Sequence, residues 1–313
     1  MTTSPPPRLI DPPVCVWEAG ALLGEGTCWS VREQALWWVD ILGHRLHRYT
    51  PSNDARRTWE FDETISAVAE RAGGPGLIVT LQHAFALFDP ASGALRRLHA
   101  PEPTRPANRF NDGKCDAQGR FWAGTMDFGC AAPSGALYRY RAAAEGAAKA
   151  ADGFGTCELA LDARFPVTNG PTWSRDGRTL YFTDTVHGRI GAYDVDPATG
   201  VLSSPRLWLE LAEADGRPDG MTTDAAGRIW IAHWGAACVT CHDPVDATEL
   251  LRVALPASQI TNLAFGGPAF DTLFVTSARV DLDAARLREE PLAGGLFAVR
   301  TDVRGVAANR FAG

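Results

Sequence analysis

The feature that most limits what this chain can fold into is a short apolar strand, led by a polar turn, that recurs six times. The copies are Leu36-Trp37-Trp38-Val39, Leu77-Ile78-Val79-Thr80, Phe121-Trp122-Ala123-Gly124, Leu180-Tyr181-Phe182-Thr183, Ile229-Trp230-Ile231-Ala232 and Leu273-Phe274-Val275-Thr276. Their first residues stand 41, 44, 59, 49 and 44 positions apart. Three copies follow a hairpin turn with glycine where a positive φ is needed: Ala117-Gln118-Gly119-Arg120, Arg175-Asp176-Gly177-Arg178 and Ala225-Ala226-Gly227-Arg228. Most are followed by a further strand, such as Ala136-Leu137-Tyr138-Arg139-Tyr140. Each unit is therefore a small antiparallel sheet that cannot bury both faces alone. A period of about 40 to 50 residues with several strands per unit is that of propeller blades. The expected fold is all-β: a six-bladed β-propeller of four-stranded antiparallel blades around a central channel.

The domain is expected to span 14–313, after a flexible N-terminal tail over 1–13. Val14-Cys15-Val16-Trp17 should close the ring by joining the C-terminal blade, which removes two exposed edges. The Ala/Gly-rich stretch from Arg141 to Gly155 reads as a loop. A 45% hydrophobic and 21% charged composition suits a soluble protein with a large core, and 31 glycines and 10 tryptophans suit many short strands and tight turns.

The net charge of −7 includes no basic stripe, which argues against nucleic acid and anionic membranes as partners. No apolar stretch approaches the length of about 18 residues that a membrane helix needs, and the N-terminus lacks a signal-peptide pattern. The reading is a cytoplasmic protein, monomeric or weakly homo-oligomeric. The seven cysteines lack paired spacing. Cys238-x-x-Cys241 has no second pair to complete a zinc site, and in a strand its two thiols face opposite ways.

In a propeller the strand nearest the axis starts at one face, so equivalent early positions from all blades converge on the channel. Counting 10 or 11 residues back from each apolar copy gives Glu25, Ser66, Asn111, Asn169, Asp219 and Asn262, all polar. Such residues are common in turns for local reasons, but six in register, set among glycines, point to a site. Two carboxylates converging in a partly dry channel repel unless a cation neutralises them. One Glu, one Asp and amide oxygens suit one divalent metal ion, with calcium, magnesium or manganese favoured and zinc or iron(II) still open.

With those residues in place, the sequence resembles the family of senescence marker protein (regucalcin), gluconolactonase and bacterial aldonolactonases such as xylonolactonase. The resemblance covers nearly the whole chain. It is carried by Leu23-Gly24-Glu25-Gly26, Asn108-Arg109-Phe110-Asn111-Asp112-Gly113-Lys114, Gly119-Arg120-Phe121-Trp122-Ala123-Gly124-Thr125-Met126, Thr168-Asn169-Gly170-Pro171 with Trp173-Ser174, and Pro218-Asp219-Gly220-Met221. It implies that Glu25, Asn169 and Asp219 hold the metal and that Arg109 and Asn111 bind substrate oxygens. The family often has Glu shortly after Gly-Thr-Met. Here Asp127-Phe128-Gly129 stands instead, and Asp127 is assigned a pocket role. Thr168-Asn169-Gly170-Pro171 and Leu292-Ala293-Gly294-Gly295 are more similar to the xylonolactonase branch.

The implied activity is metal-dependent hydrolysis of a sugar-derived lactone, an aldono-1,4- or 1,5-lactone such as xylonolactone or gluconolactone. The metal would polarise the carbonyl, and Asp219 is the candidate general base. Rival readings are a calcium-binding regulatory protein without turnover and a phosphotriesterase-like metal hydrolase. No Gly-x-Ser-x-Gly elbow is present. His233 either lines the pocket or serves the structure.

Overall fold

Each apolar copy forms the second strand of a four-stranded antiparallel sheet in the computed structural model, which describes residues 5–143 and 154–313 apart from the side chain of Ala163. Blade 1 comprises Gly24–Ser30, Ala35–Asp40, Arg45–Thr50 and Ala55–Glu60, and blade 2 comprises Ile65–Glu70, Leu77–Leu81, Phe85–Phe88 and Leu95–Arg97. Blade 3 is Asn108–Cys115, Phe121–Asp127, Gly135–Ala142 and Gly155–Phe165; blade 4 is Thr168–Trp173, Thr179–Asp184, Arg189–Val195 and Leu202–Glu210. Blade 5 is Arg217–Thr223, Ile229–Trp234, Cys238–His242 and Glu249–Ala254. Blade 6 takes Ile260–Gly266, Thr272–Ser277 and Leu296–Arg300 from the end of the chain and its outer strand, Val14–Trp17, from the start. The expected ring closure is present: Val14 pairs with Ala298 and Cys15 with Phe297.

The first strands of the blades neighbour one another around the axis, and the last of them, Ile260–Gly266, returns to Gly24–Ser30. They and the second strands are buried almost throughout, while an outer strand such as Ala55–Glu60 is mostly exposed. The core therefore lies between blades. One cluster joins Trp37 and Val39 of blade 1 to Val79 and Phe88 of blade 2, and another joins Trp230 of blade 5 to Val275 and Phe297 of blade 6. Trp37, Trp38, Trp122 and Trp230 are fully buried in these wedges, each burial contributing roughly 2–3 kcal/mol.

A polar knot ties the first two strands together in blades 3 and 5. Asp116 Oδ1 accepts from the amides of Gln118 and Arg120, and its Oδ2 accepts from Arg120 Nε at 2.5 Å and Trp122 Nε1 at 2.7 Å. Asp224, Ala226, Arg228 and Trp230 repeat the same bonds. In blade 4 Ser174 and Leu180 occupy the corresponding places, and the turn is held by the Ser174 hydroxyl instead.

Both chain ends are fastened to the propeller. In the segment assigned to a tail, the Arg8 amide donates to Asp302 Oδ1 at 2.7 Å and the Ile10 amide to Arg300 O at 2.8 Å. Residues 1–4 lie outside the described residues. Beyond Arg300 the chain crosses the turn end of the channel: Arg304 O accepts from Ala225, Glu70 O from Phe311, and Gly119 O from Ala312. Gly119 needs to be glycine twice over, because its φ is +75° and a Cβ there would sit 2.7 Å from Ala312 Cβ. In the stretch read as a loop, Arg141, Ala142 and Gly155 belong to strands, and 144–153 lie outside the described residues.

Candidate functional site at the channel entrance

The inner strand of every blade slips in register at the polar position. The slips fall between Glu25 and Cys28, Ile65 and Ala67, Phe110 and Gly113, Asn169 and Thr172, Pro218 and Met221, and Ile260 and Leu263. A bulge frees backbone groups from the ladder and re-aims side chains, which is why bulges collect beside active sites. Gly26 permits one of them, with φ +60° and a would-be Cβ only 3.0 Å from Ser66 O of the next blade. All six counted side chains are buried, none more than 4% exposed.

Hydrogen bonds sort four of them into two groups. In one, Asn262 Nδ2 donates to Glu25 Oε2 at 2.9 Å and Thr27 Oγ1 donates to Asn262 Oδ1 at 2.8 Å, and the Asp219 carboxyl lies near enough to feel the Glu25 charge. In the other, Arg109 Nη1 donates to Asn111 Oδ1 at 2.6 Å, and Asn111 Nδ2 donates to Asn169 Oδ1 at 2.9 Å and to Thr168 O at 2.7 Å. Asn169 Nδ2 continues to Thr185 Oγ1 at 2.9 Å. The groups face each other closely enough for the Arg109 charge to feel both Glu25 and Asp219. Among the described residues Asn169 makes no direct hydrogen bond to either carboxylate. Ser66 is turned away, with its hydroxyl 2.8 Å from Thr80 Oγ1.

Burial dominates the electrostatics. It pushes the Glu25 carboxyl up to about 8, helped by repulsion from Asp112, and raises Asp219 well above the usual carboxylate range, helped by Glu25 and Asp112. Asp112, raised to about 6 mainly by burial, and Lys114, lowered by burial, complete the charge set. The Lys114 ammonium donates to Met221 O and is drawn toward Asp112 and Glu25. The six-fold count passed over both residues because they have no equivalent in the other blades. The run Asn111-Asp112-Gly113-Lys114 was their signal, since a bulge there turns consecutive residues toward the axis.

Three buried polar atoms at the site lack a partner among the described residues: Asp219 Oδ1, Asp112 Oδ2 and Arg109 Nε. A buried guanidinium without an ion pair is uncommon, and unpaired carboxylate oxygens in a dry site call for positive charge. Two buried carboxyls, Glu25 and Asp219, whose charges act on each other, fit one divalent cation in charge and donor type. Among the described residues no three His, Cys, Asp or Glu side chains are grouped to hold a metal. The set expected from the sequence has two carboxylates and one amide.

Asp127 and His233 have partners in their own surroundings. Asp127 Oδ2 accepts from the amides of Ala131 and Ala132 at 3.0 and 3.2 Å, so this carboxylate holds its own loop. His233 is fully buried, with Nδ1 2.8 Å from Asp215 O and Nε2 2.6 Å from Thr240 Oγ1, and burial lowers it to about 4. Cys238 and Cys241 are buried free thiols. A cavity of about 300 Å³ opens at the other end of the channel, lined among others by Lys114, Arg120, Trp173 and Asn309. The buried charges of Glu25, Arg109 and Asp219 do not line this hollow, and Lys114 borders it.

A ring of six blades around buried, uncompensated acid and arginine defines a propeller with a polar channel site. The chain belongs to the family described as SMP-30/gluconolactonase/LRE-like region, whose profile it matches over residues 23–279. It is 36% identical to an L-arabinolactonase of Azospirillum brasilense, over 93% of this chain and 92% of the relative. It is also 36% identical to a 6-deoxy-6-sulfogluconolactonase of Pseudomonas putida, over 96% of this chain and 98% of that one. The crystal structure of a calcium-binding protein, regucalcin, from Agrobacterium tumefaciens superposes with a TM-score of 0.87 at 28% identity, covering 95% of this chain and 96% of that one.

Proposed function

We propose that this protein hydrolyses a sugar-derived lactone to its sugar acid with one divalent cation held by Glu25, Asn169 and Asp219. The observation that carries the reading is Arg109, a buried cation with no ion pair among the described residues, set within electrostatic reach of the buried carboxyls of Glu25 and Asp219. The names of the relatives, which are lactonases of sugar lactones, support the substrate class. The cation would supply Lewis-acid polarisation of the lactone carbonyl, an effect worth several kcal/mol.

The protein's own groups do the rest. Arg109 and Asn111 hold the oxygens of the lactone, the planar guanidinium being suited to paired oxygens. A neighbouring cation favours the ionised form of Asp219, and this carboxylate takes a proton from the attacking water as the new C–O bond forms. The proton then passes to the ring oxygen as the lactone C–O bond breaks, leaving a free hydroxyl and a carboxylic acid that releases its proton to solvent. Ordered donors in a channel shielded from water stabilise the developing oxyanion more than water would.

Turnover of gluconolactone and xylonolactone in a pH-indicator assay, with chelator and with metal added back, tests the reading. Activity is expected to fall on chelation, return with the metal, and drop by about 10²-fold or more in Asp219→Asn. Full turnover after chelation removes the metal from the account, and full turnover in Asp219→Asn removes the base. Calcium binding without any lactone opened would favour the second reading, a regulatory protein, which the calcium-binding relative supports.

A further inference from the structure

Phe128 is a large, exposed apolar side chain beside Arg109 to which the channel chemistry gives no role. It follows directly on the strand Phe121–Asp127 and stands 44% exposed above Arg109, which is itself buried. The Arg109 Cζ lies 5.7 Å from the Phe128 ring centroid, so the aromatic ring covers the guanidinium.

The loop beneath the ring is fastened at both ends. The Phe128 amide donates to Ala107 O at 2.8 Å, and Asp127 takes the amides of Ala131 and Ala132. At the far end Ser134 Oγ donates to Asn108 Oδ1 at 2.6 Å, and Ser134 O accepts from Arg105 Nη1 at 2.8 Å. An aromatic ring held over a buried cation, with its other side in solvent, has apolar area left to cover, and a bound ligand covers it.

We propose that Phe128 is a specificity-determining residue of the lactonase site, and the inference rests on the lactonase reading. Arg109 takes the oxygens of the lactone and Phe128 takes its C–H edge. Lactones whose exocyclic carbon is missing or is a methyl group are therefore favoured over those carrying a hydroxymethyl group. A hydroxyl pressed on the phenyl ring loses its water and gains no acceptor from the ring, while Asp127 Oδ2 is directed into its own loop.

The test compares kcat/KM for D-galactono-1,5-lactone, its 6-deoxy analogue and L-arabinono-1,5-lactone, which share ring configuration, in the wild type, Phe128→Ala and Phe128→Glu. The wild type is expected to favour the 6-deoxy and five-carbon lactones by about 10-fold. Phe128→Ala raises KM for these two with kcat retained and brings the ratio to about 1. Phe128→Glu supplies an acceptor and reverses the preference. All three proteins should melt alike, since the ring is exposed. Equal or reversed selectivity in the wild type, or a ratio that neither variant moves, overturns this inference and leaves lactone hydrolysis standing. A wild type that opens none of the three lactones overturns both.

Discussion

Glu25 and Asp219 hold protons far more tightly in the folded protein than free carboxyls do, because burial penalises their charge and Asp112 repels both, with Glu25 adding to the repulsion on Asp219. A carboxyl whose folded pKa is raised contributes stability below its unfolded value, and that contribution is lost as pH rises through the folded value. Without a cation, folded stability should therefore decline from about pH 5 up to about 8, the value Glu25 reaches. A bound divalent ion replaces the protons and removes the decline. Melting temperatures across that range, in chelator and in saturating calcium, check this. The metal-free slope should be shallower in Glu25→Gln, and identical slopes with and without calcium would sink the account. The axial ring of polar residues was legible because a bulge recurs at one place in every repeat. Which of them face each other was not. A bulge breaks the two-residue alternation, so a count by register alone misses Asp112 and Lys114, while Ser66 turns to its own sheet.

Strand-level organisation was readable wherever apolar runs and Gly turns coincide, and Gly119, Gly177 and Gly227 all adopt the positive φ their turns require. The polar knots were not readable, because Asp116 and Asp224 look like ordinary turn residues until their second oxygen is seen to reach across to a buried indole. Asp224 is fully buried and its Arg228 partner nearly so. Removing one member of a buried pair leaves the other charge uncompensated, at a cost of about 3–5 kcal/mol. Asp224→Ala should lose that much in urea denaturation. Arg206→Ala, which breaks an exposed pair with Asp194, should lose under about 1 kcal/mol. Comparable losses in the two variants would show that the knot is no more than a turn.

At the scale of the molecule, closure depends on both chain ends. Val14–Trp17 completes blade 6, and the segment after Arg300 crosses the channel from blade 5 toward blades 2 and 3. Nothing in the periodicity announces that second fastening, since residues 301–313 belong to no repeat and form no long strand. Phe311 is its anchor. Its side chain is fully buried in a cluster with Phe85, Phe110, Phe121 and Tyr140, and its amide and carbonyl bond to Glu70 O and the Ala72 amide. Because this ring packs between blades 2 and 3, its loss should loosen one sector without opening the sheet edges that blade 6 protects. Phe311→Ala is expected to cost about 3–5 kcal/mol and to speed amide exchange at Ala72 and Ala312 more than at Ala298, which pairs with Val14 on the far side of the ring. Uniform acceleration at all three amides would mean that the propeller yields as a whole and that the crossing segment has no local role.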